Sequence, residues 1–510
     1  MNLAELITRQ RVQRPDAPAV LLADQVISYE TLDAMVWNAA DKLLRMNAQT
    51  GKVLAISMRS QFLTLVAMLA TARIGAVAFS LPRTMPVSQR EWMAAKAGVT
   101  HLLSDEPDQS DHFVPNIQIN LDELMQLRTP PTPAAREFAP EAPFLLISGS
   151  GSTGTPKIFG LSHAQMLSRA RQTAASIRLG PEDRILSVSS LDFTSPKERC
   201  MAALAAGAAV AVIESDTFNP VSLCRDLGIT VMNATVYHLE NMLSNLPDDA
   251  LEVLGSLRVL QVGASTVSDS LRRRVVQKIC KSLHVRYGTN ETGLISIAYP
   301  NEMLSRPGNV GRPWSQVMLE IVDDGGQPLP ADQTGHIRVK SPGMVHGYLD
   351  DAPATESAFR NGWFYTGDIG TITREGQLLH LGRSDHMMIT NGVNIYPAEI
   401  ERIIALHPAV RDVAALPLKS EIHQDIPVCA VTIDPAQQIT EKTLLAFARE
   451  RLGSRAPVAI AILDFIPRNG QGKLIRSELA RGTVEKLKAK HVRSTERGAV
   501  TAADRVPRNE

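Results

Sequence analysis

The densest chemistry in this chain lies in Ser148-Gly149-Ser150-Gly151-Ser152-Thr153-Gly154-Thr155-Pro156-Lys157. Glycines let the backbone approach a ligand and turn its N–H groups toward it, hydroxyls add donors, and a lysine adds a compact positive charge. Together these make a cradle for phosphate. The apolar run Phe144-Leu145-Leu146-Ile147 leading into it reads as a buried strand, which argues against a plain Gly/Ser surface loop. Gly149 and Gly154 keep the spacing of a nucleotide P-loop, but Thr155-Pro156-Lys157 replaces its Gly-Lys-Ser/Thr. Pro156 also removes a donor, and Ile158 stands where a magnesium-binding hydroxyl would follow. The cradle is therefore not that of the usual NTPase.

Further along, Gly263-Ala264-Ser265 closes the strand Arg258-Val259-Leu260-Gln261-Val262, and open α/β sheets bind ligands at such carboxyl ends. A second strand-to-loop passage, Val285 to Gly293, holds Tyr287, Gly288, Thr289, Asn290 and Glu291. Asp368 closes Gly362-Trp363-Phe364-Tyr365-Thr366-Gly367-Asp368; a carboxylate can accept from two adjacent hydroxyls at once. Arg383 and Asp385 sit in Gly382-Arg383-Ser384-Asp385-His386, Gly392 opens a Gly-rich segment, and Lys473 ends Asn469-Gly470-Gln471-Gly472-Lys473. His163, just after the first loop, reads as a structural or capping group rather than a base.

In this order, from Ser148 to Lys473, the segments resemble the signatures of the adenylate-forming superfamily, which holds acyl- and aryl-CoA synthetases, adenylation domains of peptide synthetases and luciferases. The chain departs from the pattern at Ile158-Phe159, where the loop usually continues with Gly, and at Asn290, which replaces a Thr. The resemblance implies that Ser150, Gly151, Ser152, Thr153, Gly154 and Lys157 hold phosphates. Gly263, Ala264, Ser265, Tyr287, Gly288, Thr289 and Asn290 would line the nucleotide site, with Tyr287 on adenine and Glu291 helping to hold magnesium. Asp368 would take the ribose hydroxyls, Arg383 would contact the nucleotide, Asp385 would be the hinge pivot, and Gly392 would border a thiol tunnel. Lys473 suits adenylation because a compact charge can bridge the carboxylate and the α-phosphate.

The implied reaction uses ATP and Mg2+ to turn a small carboxylic acid into acyl-AMP and pyrophosphate, then passes the acyl group to a thiol. Coenzyme A is the main expectation for that thiol. A stand-alone enzyme loading the phosphopantetheine of a separate acyl carrier protein is the rival, and a non-catalytic adenylate binder is a third reading. By family position the acid pocket involves Asp192, Phe193, Asn233, Thr235 and Gly263, whose small and polar groups favour a compact acid. Leu191-Asp192-Phe193-Thr194 also resembles a segment of amino-acid-activating domains in which the aspartate pairs with an α-amino group. Lys197 and Arg199 are close enough to neutralise Asp192 instead, and that structural pairing is the favoured reading.

The elements that must position these residues alternate between strand and helix signals. Tyr29 to about Met46 and Phe62 to Ile74 read as helices, Val53–Met58 and Ala76–Pro82 as strands, and residues 184–300 repeat the pattern. Such alternation predicts parallel, helix-covered sheets. Residues 307–381, with many Gly/Pro turns, predict an antiparallel barrel-like part, and Thr129 to Pro143 reads as a proline-rich connector. The expected fold is α/β: a large domain over 1–382, a hinge at 383–385, a small mobile α+β domain over 386–482, and a polar, disordered tail from 483 to 510. With 510 residues, 44% hydrophobic and 21% charged, two domains with sizeable cores are expected.

Equal numbers of basic and acidic residues, 53 each, imply no bulk attraction to nucleic acid or to an anionic membrane. Arg73 interrupts the most apolar window, Leu63 to Leu81, so a core helix running into a strand is expected there rather than a membrane span. Cys200, Cys224, Cys280 and Cys429 lie far apart, which points to a reducing cytoplasm rather than a disulfide framework or zinc site. The oligomeric state stays open, with a homodimer as one option.

Overall fold

In the computed structural model the described residues are 2–106, 114–126, 139–149, 156–214, 219–246, 254–303, 306, 308–390, 393–420, 424–468 and 473–488. The cradle residues Ser150, Gly151, Ser152, Thr153 and Gly154, the tunnel glycine Gly392, most of the proline-rich connector and the tail beyond 488 lie outside them.

Two sheets build the large part of the chain. The first is six-stranded in the order Asn116–Gln118, Val99–Ser104, Val53–Ile56, Val77–Ser80, Pro143–Gly149, Lys157–Ser162. All its neighbours are parallel except the last pair. The second is nine-stranded and runs Arg312–Pro313, Gly293–Ala298, Leu283–Thr289, Val259–Gly263, Val231–Thr235, Arg184–Ser187, Ala209–Ala211, Pro18–Leu21, Val26–Ser28. Its centre is parallel and its ends antiparallel. Strands buried on both faces must read as continuous apolar runs, as Phe144-Leu145-Leu146-Ile147 and Val53–Ile56 do.

The helices start where local chemistry tells them to. Ser28 caps Tyr29–Arg45, Ser60 caps Gln61–Arg73, and Ser162 with Gln165 forms a capping box on His163–Ser176. Gln61–Arg73 is buried from Phe62 through Ala72, so it lies inside the fold and not on its skin. Arg73, the charge that interrupts this apolar stretch, reaches Asp33 at 2.5 Å within the core. Among the described residues no helix is long and apolar enough to cross a membrane.

The barrel-like part is a five-stranded antiparallel sheet built on the long strand Trp363–Ile372, which pairs with Thr334–Lys340, Phe359–Arg360 and Leu378–Arg383. The small C-terminal part has its own sheet, with Val410–Ser420 against Gln424–Ile433, and its own cores around Ile400, Leu444 and Leu416. Between them, Ser384–His386 is a single 3-10 turn. The last helix continues over 476–488, past the expected boundary at 482, and fully buries Thr483.

Candidate functional site

One cavity of about 1220 Å³ gathers most of the candidate residues. Gly149 and Lys157, the flanks of the phosphate cradle, are on its wall. They face each other as paired residues of an antiparallel hairpin, Pro143–Gly149 against Lys157–Ser162. A P-loop passes from strand directly into helix; here a return strand intervenes and the helix begins only at His163. His163 is buried, its Nδ1 accepts from the Leu3 N–H at 3.3 Å, and its ring lies 5.3 Å from that of Phe144. Burial lowers its pKa to about 4, so it is a neutral packing group.

The loop after Leu283–Thr289 supplies the next wall. Gly288 has no alternative there, because a Cβ would collide with the Gly293 carbonyl oxygen. Ala264, in the turn after Val259–Gly263, holds φ at 68°, a left-handed conformation that costs a non-glycine residue energy and recurs at ligand sites. Glu291 lines the cavity, and its Oε1 accepts from the Tyr348 hydroxyl at 3.0 Å. The Lys157 ammonium sits 4.7 Å from the centroid of the same Tyr348 ring. Tyr348 thus ties the cradle lysine to the glutamate.

Tyr287, Asp368, His380 and Arg383 form the opposite wall. The Tyr287 hydroxyl donates to Asp368 Oδ2 at 2.5 Å, its ring lies 5.1 Å from that of His380, and Arg383 Nη1 is 3.6 Å from Asp368 Oδ1. Burial alone would raise the Asp368 carboxyl, but His380, Tyr287 and Arg383 together hold it below the ordinary carboxylate value. Arg383 also donates to the Thr366 carbonyl at 2.7 Å and to both oxygens of Asp385 at 3.2 Å. Lys473, from the C-terminal part, shares this cavity, close enough to Glu291 and Asp368 to feel their charge. Burial still lowers its pKa below the ordinary lysine value.

The acid end differs from the sequence-based picture. Phe193, Asn233, Thr235 and Gly263 line the cavity, but Asp192 does not. Half-buried Asp192 accepts from the Ser190 hydroxyl at 2.9 Å. No ion pair of contact length forms at Asp192: Lys197 Nζ donates to Ser80 Oγ at 2.8 Å and to the Asp192 backbone carbonyl at 3.0 Å, near enough to feel the Asp192 charge, and Arg199 turns to Asn233 Oδ1 and Ser195 Oγ. A half-exposed carboxylate keeps enough water to need no cationic partner.

Sequence reasoning missed Arg169 altogether. Its side chain is fully buried and donates to the backbone carbonyls of Gly343, Asn290 and Glu291 and to Glu198 Oε1, all at 2.8–3.0 Å. Glu198 in turn pairs with Arg286 at 3.2 Å. The available signal was Lys197-Glu198-Arg199, three charges opening an otherwise apolar helical run. Magnesium fits this site only as a shared ion. Among the described residues no group of three His, Cys, Asp or Glu side chains can hold a metal, so Glu291 would hold it together with nucleotide phosphates.

Comparison with known proteins decides the family. The AMP-binding enzyme family model matches residues 7–349, and the AMP-binding enzyme C-terminal domain model matches residues 399–473. The chain belongs to the AMP-binding enzyme family. A 2-succinylbenzoate–CoA ligase from Bacillus mycoides (strain KBAB4) is 27% identical over 477 residues, covering 93% of this chain and 97% of that protein. The O-succinylbenzoate coenzyme A synthetase from Bacillus subtilis, solved in complex with AMP, superposes with a TM-score of 0.80 at 25% identity, over 93% of this chain and 97% of that one. ATP-bound MatB from Rhodopseudomonas palustris has this AMP-binding enzyme's fold too, with a TM-score of 0.85 at 24% identity, over 94% and 98%.

Proposed function

We propose that this AMP-binding enzyme is an acid–thiol ligase that activates a compact carboxylic acid with ATP and transfers it to coenzyme A. The observation that carries the reading is the single cavity shared by Lys157, Glu291 and Asp368 with Lys473 from the C-terminal part. In the first step an oxygen of the substrate carboxylate forms a bond to the α-phosphorus of ATP, and the bond to the pyrophosphate oxygen breaks. Lys157 holds the departing phosphates together with the cradle positions 150–154, Asp368 accepts from the ribose hydroxyls, and Tyr287 and Arg383 position the nucleotide. Lys473 bridges the carboxylate and the α-phosphate as charge builds. Glu291 and the phosphates would hold magnesium, which would supply neutralisation of phosphate charge when bound.

In the second step the thiol sulfur bonds to the acyl carbon, its proton goes to solvent, and AMP leaves. This requires Lys473 to withdraw, and Asp385 in the turn Ser384–His386 is the pivot. The names of the CoA ligase relatives support coenzyme A as the acceptor. Four buried, free cysteines support a reducing, cytoplasmic setting. The test is release of pyrophosphate on adding ATP, magnesium and a panel of carboxylic acids, followed by thioester detection with coenzyme A or with phosphopantetheinylated carrier proteins. No acid-dependent pyrophosphate would leave a binding module, and thioester on carrier protein alone would replace the acceptor.

A further inference from the structure

The charges at the acid end do not balance. Arg169, Arg199 and Arg286 converge there, and among the described residues the only carboxylate paired with any of them is Glu198, which takes Arg169 at 3.0 Å and Arg286 at 3.2 Å. Arg199 forms no ion pair among the described residues; its Nε and Nη1 donate to Asn233 Oδ1 and Ser195 Oγ, and Nη2 donates to nothing described. Yet Arg199 is 7% exposed and lines the cavity. Burial, reinforced by repulsion from Arg286 and only partly offset by Glu198, pulls its pKa down to about 9.

The neighbouring amide is also incomplete. Asn233 is 5% exposed, lines the same cavity, and its Nδ2 is buried with no hydrogen-bond partner. An unsatisfied buried donor is costly, as is a guanidinium without an anion, unless a ligand completes both. The two open donors lie on adjacent groups, because Arg199 holds the other end of the Asn233 amide. A carboxylate, with two acceptor oxygens and one negative charge, satisfies that pair.

We propose that Arg199 and Asn233 bind a second carboxylate of the substrate, so that the acid activated here is a dicarboxylic acid. This rests on the acid–thiol ligase reading and names its substrate class. The reacting carboxylate goes to the nucleotide end, beside Lys473, Glu291 and Asp368. The second one goes to the arginine-rich wall, where it supplies the missing negative charge. The same surplus of positive charge disfavours an α-amino group, in keeping with Asp192 lying off the wall.

The test uses the full chain in pyrophosphate exchange, with diacids from succinic to suberic acid and the benzenedicarboxylic acids, each beside its monoamide. At least one diacid should exceed its monoamide by about a hundredfold or more in kcat/KM, since a site built for a polar group rejects the analogue lacking it. Arg199→Met should collapse that ratio toward one because the diacid loses far more than the monoamide, and Asn233→Asp should do the same by putting a negative charge on the wall. Equal activity with diacid and monoamide, or a parallel loss of both in the variants, overturns the proposal. Should no acid support exchange, the ligase reading falls. Thermal stabilisation of the wild type then decides the inference alone: a larger Tm rise with diacids than with monoamides upholds it, and equal shifts overturn it.

Discussion

Lys473 shares its cavity with two carboxylates, yet burial outweighs them and lowers its pKa below 10.5. In the proposed role, bridging carboxylate and α-phosphate, Lys473 must carry charge, and it will lose that charge on the alkaline side earlier than a free lysine does. Adenylation should therefore decline with rising pH before that ordinary value is reached, while the thioester step from preformed acyl-AMP should not share this limb. Lys473→Ala should cut acyl-AMP formation by roughly 10²–10³ and spare the thioester step, because a single transition-state charge contact is removed. Both half-reactions are measurable separately, by pyrophosphate exchange and by thioester formation from synthetic acyl-AMP. Near wild-type adenylation in the variant would remove Lys473 from the chemistry. Its place on the cavity wall was legible in the sequence because its Gly-x-Gly-Lys context is local.

At the scale of elements, legibility followed sequence distance. The strand and helix pattern around the cradle was readable because each apolar run and each capping serine announces itself within a few residues. Arg169 was invisible, because its value comes from carbonyls at Asn290, Glu291 and Gly343, more than a hundred positions away. It joins the helix His163–Ser176 to the loop carrying Glu291. Arg169→Met would leave Glu198 buried with only Arg286, and removal of one partner of a buried pair costs about 3–5 kcal/mol. We expect a large fall in denaturation midpoint together with weaker ATP binding; an unchanged midpoint would mean the loop holds itself. The proposed hinge makes a different demand. Asp385 in the turn Ser384–His386 is locked to Arg383 in this arrangement. Asp385→Pro fixes φ and removes an N–H there, so one half-reaction should suffer far more than the other. Equal loss of both would make Asp385 an ordinary turn residue.

The whole molecule carries a pH dependence that no single motif displays. His163 and His284 are buried in the large part, and burial lowers each pKa to about 4 from an ordinary 6.5. Between those values the unfolded chain binds protons that the folded chain refuses, so stability must rise with pH across that window. The contribution is fully present above 6.5, is lost as pH falls toward about 4, and each histidine adds a slope of about 1.4 kcal/mol per pH unit. The acidic side behaves otherwise. Asp183 and Asp368 have folded pKa values held below 3.8, so their stabilisation begins to fade only near and below that pH. The two effects therefore occupy separate windows: the histidines drive the loss of stability between pH 6.5 and 4.5, and half-buried Glu240 and Glu401, whose carboxyls burial raises above 4.5, oppose it. Urea unfolding of the wild type and of His163→Gln at a series of pH values checks this. The variant should show a shallower dependence in that window by about one proton, whatever its absolute stability. Its Nδ1 partner, the Leu3 N–H, ties the start of the chain to the helix after the phosphate cradle. Protonation of His163 would abolish that acceptor, so acid should first release the N-terminal segment from the element that follows the nucleotide site. Amide exchange at Leu3 rising between pH 6 and 4.5 ahead of exchange in Pro143–Gly149 is the expected order, and simultaneous exposure of both would mean that His163 does not govern that contact.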